Sequence, residues 1–543
     1  MTGRHSEESK RNFALMRERI LEQQGKNYWR SLEEFVDAPE FEEFVHQEFP
    51  QHAETWEDPV SRRSFLKVMG ASLALAGLSS ACVIQPPEKV IPYVRQPEEI
   101  VPGKALFFAT AMSLKGIAVG LLAKSNEGRP TKIEGNPEHP GSLGSTDKLA
   151  QASLLTMYDP DRSKEFLFRN TPRSWDRFVA EARAALEKNR QNGGAGVRFL
   201  TETITSPTLI AQFRQILGEL PNARWYQYEP CNDDNALQGA KMALGENVNT
   251  IYRFDQADRI LSLDSDFLNS FNVRYPRDFS DRRRVTEEKK EMNRLYVVET
   301  TPTITGAKAD HRLSIKPSQV EGFARAIAAA LGVAGAGSNY TENAQWIAAC
   351  AADLRANAGR SIVVAGDHQP PVIHALAHAI NGALGNVGKT IVYTEPLAAD
   401  TAGAAARPQI EGLRELVRDI DAGAVQMLVI LGGNPMYDTP ADLKFTRERM
   451  DKVPLRIHLS QYNNETSKYC HWHVPQTHYL EEWSDSRAYD GTATLVQPLI
   501  APLYGGKSIH EVVNVFAREN YDRSGYDIVR EFWQRQGLGA SLR

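Results

Sequence analysis

The residues most able to do chemistry stand directly after predicted strands. The loop from Gly432 to Asn434 follows the apolar segment MLVIL, and Gly366 follows SIVVA. Asp264 ends a third apolar segment and Glu299 a fourth. Glycine lets a ligand approach the backbone closely, and carboxylate or amide oxygens accept hydrogen bonds from a guanine base or a ribose. One such loop is an ordinary strand-to-helix turn, but four in order favour a site for a nucleotide-like ligand.

Cysteine and histidine offer little for a metal. The four cysteines are Cys82, Cys231, Cys350 and Cys470. They lie far apart in sequence, which excludes a local motif for an iron–sulfur cluster or a structural zinc. Cys231 could bind a metal, although a half-buried thiol in a strand-to-helix turn is favoured. His471 and His473 share one face of a predicted strand and could meet a zinc, but polar groups at the end of a sheet are favoured. We therefore predict no metal site and no catalytic residue.

Alternating strands and helices must position these loops. The predicted strands are Ala105–Thr110, Val197–Leu200, Arg259–Leu263, Arg294–Val298, Ser361–Ala365, Thr390–Tyr393 and Met427–Leu431. The predicted helices include Trp175–Lys188, Thr208–Leu217, Val320–Leu331, Asn343–Asn357, Pro371–Leu384 and Ile410–Leu416. This alternation predicts an α/β fold with mainly parallel sheets flanked by helices, and ligands bind past the carboxyl ends of such strands. The chain has 543 residues and a net charge of -5, which suggests several domains and no nucleic-acid partner.

An export signal lies about sixty residues into the chain. Arg62 and Arg63, followed by Phe65 and Leu66, match the twin-arginine (Tat) signature, and an apolar stretch ends at Cys82. Cys82 is either a lipidation site or a plain thiol near a signal-peptidase site. Tyr28 to Pro50, before the signal, shows the apolar spacing of two short amphipathic helices. We expect a protein exported by Tat to the periplasmic face of the bacterial inner membrane, with or without a lipid anchor.

Several motifs in order resemble the molybdopterin oxidoreductase family. They are GRPTKIEGNPEHPGSLG (128–144), QASLLTMYDPDRS (151–163), GALGNVGKT (382–390), LGGNP (431–435) and YLEEWSD (479–485). The resemblance covers about residues 100–510 and implies a multi-domain α/β fold. It also implies that a molybdenum bis-guanine-dinucleotide pterin, if bound, would use the strand-end loops and Cys231. The cofactor-binding residues under that alternative are Cys231, Asp264, Gly366, Gly432, Gly433 and Asn434.

The chain also departs from the catalytic members of that family. They commonly carry a four-cysteine cluster near the mature N-terminus, and this chain has no cysteine between Cys82 and Cys231. With its long leader and the segment RLYVVETTPTITGAKADHRL (294–313), it resembles the large peripheral subunits of alternative complex III. That resemblance implies a structural, cofactor-poor part of a membrane-attached quinol:electron acceptor oxidoreductase, with no cofactor of its own. The implied partners are an iron–sulfur domain or subunit, multihaem cytochrome c subunits and integral membrane quinol-binding subunits.

The resemblance and the composition suggest seven segments. They are a leader with amphipathic helices (1–60), the Tat segment (61–82), a Pro-rich tether (83–104), a small N-terminal domain (105–170), a first α/β lobe (171–335), a second α/β lobe (336–490) and the start of a C-terminal region (491–543). The chain is expected to stop before the family's C-terminal β-rich domain. Two alternatives to the structural role stay open: a catalytic periplasmic molybdenum oxidoreductase of the sulfur-compound reductase type, and a binding protein on a lipid anchor.

Overall fold

The computed structural model describes residues 100–398 and 408–538, which are part of one compact unit, Glu99–Arg543. The predicted leader, Tat segment and most of the Pro-rich tether lie outside the described residues, as do Arg62, Arg63, Phe65, Leu66 and Cys82. Their predicted roles in export and lipidation stay predictions. Within the described ranges, no helix is both long and apolar enough to cross a membrane.

The described chain alternates strands and helices almost throughout. The strands are β1 (Leu106–Leu114), β2 (Ile117–Asn126), β3 (Arg129–Gly135), β4 (Phe166–Phe168), β5 (Thr171–Arg173), β6 (Val197–Thr201), β7 (Arg224–Gln227), β8 (Asn249–Tyr252), β9 (Arg259–Leu263), β10 (Arg294–Glu299), β11 (His311–Ser314), β12 (Ser361–Ala365), β13 (Ile391–Thr394), β14 (Met427–Leu431), β15 (Leu455–Ser460), β16 (Trp472–Pro475), β17 (Ser484–Arg487) and β18 (Ala493–Val496). The helices are α1 (Lys148–Met157), α2 (Trp175–Arg190), α3 (Pro207–Glu219), α4 (Asp234–Leu244), α5 (Arg274–Arg283), α6 (Ile304–Ala307), α7 (Val320–Ala330), α8 (Ala344–Ala356), α9 (Pro371–Ala383), α10 (Gln409–Asp421), α11 (Pro435–Asp438), α12 (Arg447–Met450), α13 (Glu465–Lys468), α14 (Ile509–Asn514) and α15 (Gly525–Trp533).

Two parallel sheets carry the strand-end loops. The larger has seven strands in the order β5-β4-β16-β15-β14-β6-β7, and the five from β16 to β7 are parallel. The smaller has four parallel strands in the order β11-β10-β9-β12. β14, inside the larger sheet, and β12, at one end of the smaller sheet, are buried along their whole length, because helices cover both faces of a parallel sheet. The predicted α/β fold with mainly parallel sheets is confirmed.

The sheets do not follow the linear division predicted at residue 335. β9 and β12 lie on opposite sides of that boundary and pair with each other. β6 and β14 also lie on opposite sides and pair in the larger sheet. β17 and β18 share a five-stranded sheet with β1, β2 and β3, so the ends of the described chain also meet. Parallel strands need a crossover, and the chain between β7 and β14 contains all four strands of the smaller sheet.

A buried ion pair joins two of the sequence motifs. Arg162, from YDPDRS, donates from Nη2 to Oε2 of Glu481 at 2.7 Å and from Nη1 to Oε1 at 3.2 Å. Their side chains are 2% and 1% exposed. Glu481 also accepts from the backbone N–H groups of His478 and Leu503. Burial alone would raise the pKa of Glu481, but Arg162 and these donors hold it below its usual value.

We expect Arg162→Met to destabilise the protein strongly, because it leaves the Glu481 carboxylate buried without its cation. Loss of one partner of a buried pair costs about 3–5 kcal/mol in the free energy of unfolding. Urea unfolding at neutral pH measures this cost. Arg162→Met/Glu481→Gln should regain part of the loss. A single-variant loss under about 1 kcal/mol would contradict the assigned role of the pair.

Candidate functional site

The main cavity lies at the carboxyl edge of the seven-stranded sheet. Its volume is about 610 Å³, a usual size for a ligand pocket. Loops after β6, β7, β14, β15 and β16 form its walls together with the β1–β2 turn. Cys231, Gly432 and Gly433 line it as predicted, together with Lys115 and Glu202. The structure thus brings three of the six predicted cofactor-binding residues into one cavity.

The glycine loop faces a carboxylate of the protein itself. Gly432 and Gly433 have φ angles of 80° and 67°, in the left-handed region that favours glycine. A Cβ atom at position 432 would overlap the carboxylate of Glu202. The backbone N–H of Gly433 donates to that carboxylate. Glu202 therefore takes up both the N–H of Gly433 and the space beside Gly432.

Asn434 is committed to holding the loop in place. Its Oδ1 accepts from the N–H and the hydroxyl of Thr466, at 3.1 and 2.7 Å. Its Nδ2 donates to Oε2 of Glu465 at 2.7 Å. The amide of Asn434 thus ties the loop to α13. These contacts give it a structural part in the site.

A buried chain of hydrogen bonds supports the loop from behind. His458 lies 3.2 Å from the Gly433 carbonyl through Nε2 and 2.7 Å from the Ser467 hydroxyl through Nδ1. The same hydroxyl lies 2.9 Å from Nδ1 of His473, whose Nε2 meets Ser163 at 2.6 Å. Burial lowers the pKa of His458 to about 3 and that of His473 to about 4, so both rings are neutral.

The histidines singled out in the sequence take polar contacts within the protein. His473 belongs to the chain just described, and Nδ1 of His471 accepts from the backbone N–H of Arg456 at 3.2 Å. His478 contacts the hydroxyl of Thr156 through Nε2. Between residues 100 and 398 and between 408 and 538, no three His, Cys, Asp or Glu side chains are grouped to hold a metal ion. These contacts fit the favoured interpretation of polar groups at the end of a sheet.

Cys231 lies in the loop between β7 and α4, the strand-to-helix turn that the sequence predicts. Its side chain is exposed, so the expectation of a half-buried thiol is wrong. Cys231 is exposed because it forms, together with Pro230, part of the surface of the cavity. Cys350 and Cys470 are buried.

Asp264 and Gly366 form a separate pair at the edge of the four-stranded sheet. Asp264 accepts from the N–H of Thr300 at 2.9 Å and from Nε2 of Gln369 at 2.8 Å. A Cβ atom at position 366 would overlap the Asp264 carbonyl, so Gly366 is needed for close backbone contact. Neither residue is among those that line the 610 Å³ cavity. The structure therefore joins these two residues to each other and separates them from Cys231.

Carboxyl groups dominate the site, and sequence reasoning missed most of them. Burial, then Glu229 and Asp438, raises the pKa of Glu202 to about 7. Burial raises the pKa of Asp438 to about 6 and, with smaller contributions from nearby acids, that of Glu482 to about 8. Glu229 accepts from the N–H of Thr203 at 3.1 Å. A signal was available for Glu202, which directly follows the buried strand β6.

Two helix N-termini at this edge are also capped by carboxylates. Asp234 accepts from the N–H groups of Gln409 and Ile410, at 2.9 and 3.2 Å, at the start of α10. Asp485 accepts from the Thr208 N–H at 3.3 Å at the start of α3, and from Nε1 of Trp533 at 2.8 Å. Helix N-termini attract anions through their free N–H groups and the helix dipole. Here the protein supplies those anions.

The charge of the cavity does not fit a guanine dinucleotide pterin. Such a cofactor carries an anionic pyrophosphate, which needs cations or free N–H groups. Among the described residues that line the cavity, Lys115 is the only Lys or Arg, whereas Glu202, Glu229, Glu482 and Asp485 are carboxylic acids. The N–H of Gly433 is already bonded to Glu202. A bound pyrophosphate would find one cation in this lining and a glycine N–H that already has an acceptor.

Comparison with known proteins agrees with the fold. The chain is 23% identical over 513 residues to the menaquinone reductase, molybdopterin-binding-like subunit of Nitratidesulfovibrio vulgaris (strain Hildenborough), covering 82% of this chain and 70% of that protein. Its structure resembles acetylene hydratase from Pelobacter acetylenicus, with a TM-score of 0.53 and 12% identity over 80% of this chain and 70% of that one. The sequence matches no established protein-family profile. The chain is thus similar in sequence to a molybdopterin-binding-like subunit and in fold to acetylene hydratase, in agreement with the predicted multi-domain α/β fold.

We expect Glu202→Gln to stabilise the protein at alkaline pH and to leave it unchanged at pH 4. The carboxyl titrates near 4.5 in the unfolded chain and near 7 in the folded one, so stability falls as pH rises through this window. The glutamine amide does not ionise, so the variant avoids this loss of stability. Its amide oxygen can still accept a hydrogen bond from the Gly433 N–H. Because cavity solvent screens the charge, the gain at pH 8 should be about 1 kcal/mol. Urea unfolding at pH 4, 6 and 8 measures it.

The matched control is Glu246→Gln, at an exposed position in the loop after α4. It should change the free energy of unfolding little at any of the three pH values. A Glu202→Gln variant that is less stable at pH 8 than at pH 4, relative to the wild type, would contradict the raised pKa.

Proposed function

We propose that this chain is a subunit of a quinone-linked oxidoreductase complex and that its role in the complex is structural. The similarity to a molybdopterin-binding-like subunit of a menaquinone reductase supports the link to quinone. That name also implies partner subunits that carry electrons and contact the membrane. The chain would hold those partners in register, and electron transfer would take place in them.

The observation that carries this proposal is the carboxylate beside the glycine loop. The loop keeps the sequence and backbone conformation of a ligand-binding turn, yet Glu202 accepts from Gly433 where a phosphate would bind. Asp234 and Asp485 cap two helices at the same edge. We infer that the chain keeps the fold of a cofactor-binding protein and has no pterin or molybdenum of its own.

The more specific proposal is the large peripheral subunit of alternative complex III. It rests on the resemblance of the leader, the Tat motif and the segment 294–313. The iron–sulfur part, the multihaem cytochrome c subunits and the membrane quinol-binding subunits would then be its partners. Export through Arg62 and Arg63 to the periplasmic face, with or without lipid on Cys82, belongs to the same proposal.

One observation favours a second candidate, a catalytic molybdenum oxidoreductase. Cys231 is exposed in the cavity, where a thiolate could bind a metal. Against it stand the acids that share the cavity, which would oppose the pyrophosphate of the cofactor. Asp264 and Gly366 contact each other outside the cavity lining, so they offer this cofactor no shared site with Cys231.

Elemental analysis of the purified complex tests the proposal directly. Molybdenum, tungsten and iron are measured per copy of this chain, and pterin is extracted from the separated subunit. We expect no molybdenum, tungsten or pterin in this chain, with iron only in co-purifying subunits. Stoichiometric molybdenum or tungsten together with a guanine pterin would refute the structural role.

We also expect Cys231→Ser to leave the quinone-linked activity of the complex within about twofold of the wild type, because the thiol would bind no metal. Loss of a metal ligand would instead lower activity by about a hundredfold or more. Electron transfer between a quinone and an artificial acceptor measures it. Ser113→Ala, which changes another residue of the cavity lining, is the matched control.

A further inference from the structure

The tip of the β1–β2 hairpin reaches the cleft between the two parallel sheets. Lys115 and Gly116 form its two-residue turn, with φ angles of 53° and 74°, as in the turns that suit tight hairpins. The Gly116 carbonyl accepts from the hydroxyl of Thr205, in the loop after β6. A Cβ atom at position 116 would lie 2.8 Å from a methyl carbon of Thr203. The tip is therefore wedged tightly against that loop.

The Lys115 ammonium lies between carboxylates from two different sheets. Nζ is 2.5 Å from Oδ1 of Asp233 and 3.7 Å from Oδ2 of Asp367. Asp233 follows β7 of the seven-stranded sheet, and Asp367 follows β12 of the four-stranded sheet. The Lys115 side chain is only 11% exposed, whereas those of Asp233 and Asp367 are 49% and 68% exposed. Nζ lies 5.6 Å from the centroid of the Phe271 ring. One cation thus contacts three separate parts of the fold.

The surroundings keep this amine charged. Burial lowers the pKa of Lys115, but Asp233 and Asp367 outweigh burial and raise it above the ordinary value. The ammonium form is therefore favoured over a wider pH range than in an ordinary lysine side chain. Without that charge, Asp233 and Asp367 would face each other as two like charges, because Asp233 raises the pKa of Asp367.

We infer that Lys115 is an internal cross-link that holds the strand-end loops of the two parallel sheets together across the cleft. This inference rests on the proposed structural function, in which no dinucleotide lies in the cleft to contact both sets of loops. Its geometry differs from that of a ligand-binding lysine, because the ammonium already has two carboxylate partners and an aromatic face. The cross-link depends on charge, so it should persist when the positive and the negative residue of the pair are exchanged.

Hydrogen exchange in the purified protein tests the local effect of Lys115→Met. Methionine keeps the length of the side chain and removes its charge. We expect backbone amides in the segments 229–236 and 366–370 to exchange about tenfold faster, as when a charge-assisted hydrogen bond is lost. Amides in β14 and β12 should be unchanged. Lys148→Met, at an exposed position of α1, is the matched control and should leave both segments as in the wild type.

A charge swap separates the ion pair from general packing. Lys115→Asp and Asp233→Lys should each speed exchange in both segments and lower the thermal midpoint. The double variant Lys115→Asp/Asp233→Lys should recover most of both losses, because it restores one cation beside two carboxylates. Single variants with wild-type exchange, or a double variant as impaired as the sum of the two, would overturn the inference.

The outcomes also separate this inference from the proposed function. Molybdenum or pterin in the wild-type protein would refute the structural role, whatever Lys115 does. Unchanged exchange in Lys115→Met, with no metal or pterin in the wild type, would refute the cross-link alone.

Discussion

The structure depends on how backbone N–H groups are satisfied at the carboxyl edges of its parallel sheets. Parallel strands bring their loops and the following helix N-termini to one edge, where those N–H groups lack partners within the helix. In this protein carboxylates accept from them: Glu202 at the glycine loop, Asp234 at α10, Asp485 at α3 and Asp264 in the smaller sheet. These N–H groups therefore already have acceptors within the protein.

Placing several carboxyl groups near one another at these loops has an electrostatic cost. Burial raises the pKa of Asp438 to about 6, and burial together with repulsion from Glu229 and Asp438 raises that of Glu202 to about 7. A neutral carboxyl still accepts a hydrogen bond and carries no repulsion. Where the two sets of loops meet, Lys115 supplies a positive charge between Asp233 and Asp367. Protonation of Glu202 and Asp438 and the positive charge of Lys115 thus offset negative charge at these loops.

The sequence was most informative where burial leaves a continuous apolar segment. The bounds predicted for β9, β12 and β14 match the structure at every residue, because strands buried on both faces are nearly continuous apolar segments. β15 was missed, since His458 interrupts its apolar pattern and is satisfied by the Gly433 carbonyl and the Ser467 hydroxyl. The order of the strands within each sheet could not be predicted from the sequence either, because it depends on pairing between segments more than a hundred residues apart. At the site, Gly432 and Gly433 were found from the loop motif, whereas Glu202 lacks such a motif and acquires its role from contact with Gly433.

The fold of this protein and the charges at its site have to be considered separately when its function is inferred. The loop order, the turn glycines and the buried Arg162–Glu481 pair belong to a fold that resembles that of a molybdopterin oxidoreductase family member. Architecture of this kind is shared by proteins with different roles, so function must be argued from the charges at the site. A carboxylate at the glycine loop leaves the backbone there unaltered and reverses the charge that the loop would accept. A cofactor site can in this way become an internal contact while the surrounding sheets, and the surfaces they carry, stay as they were.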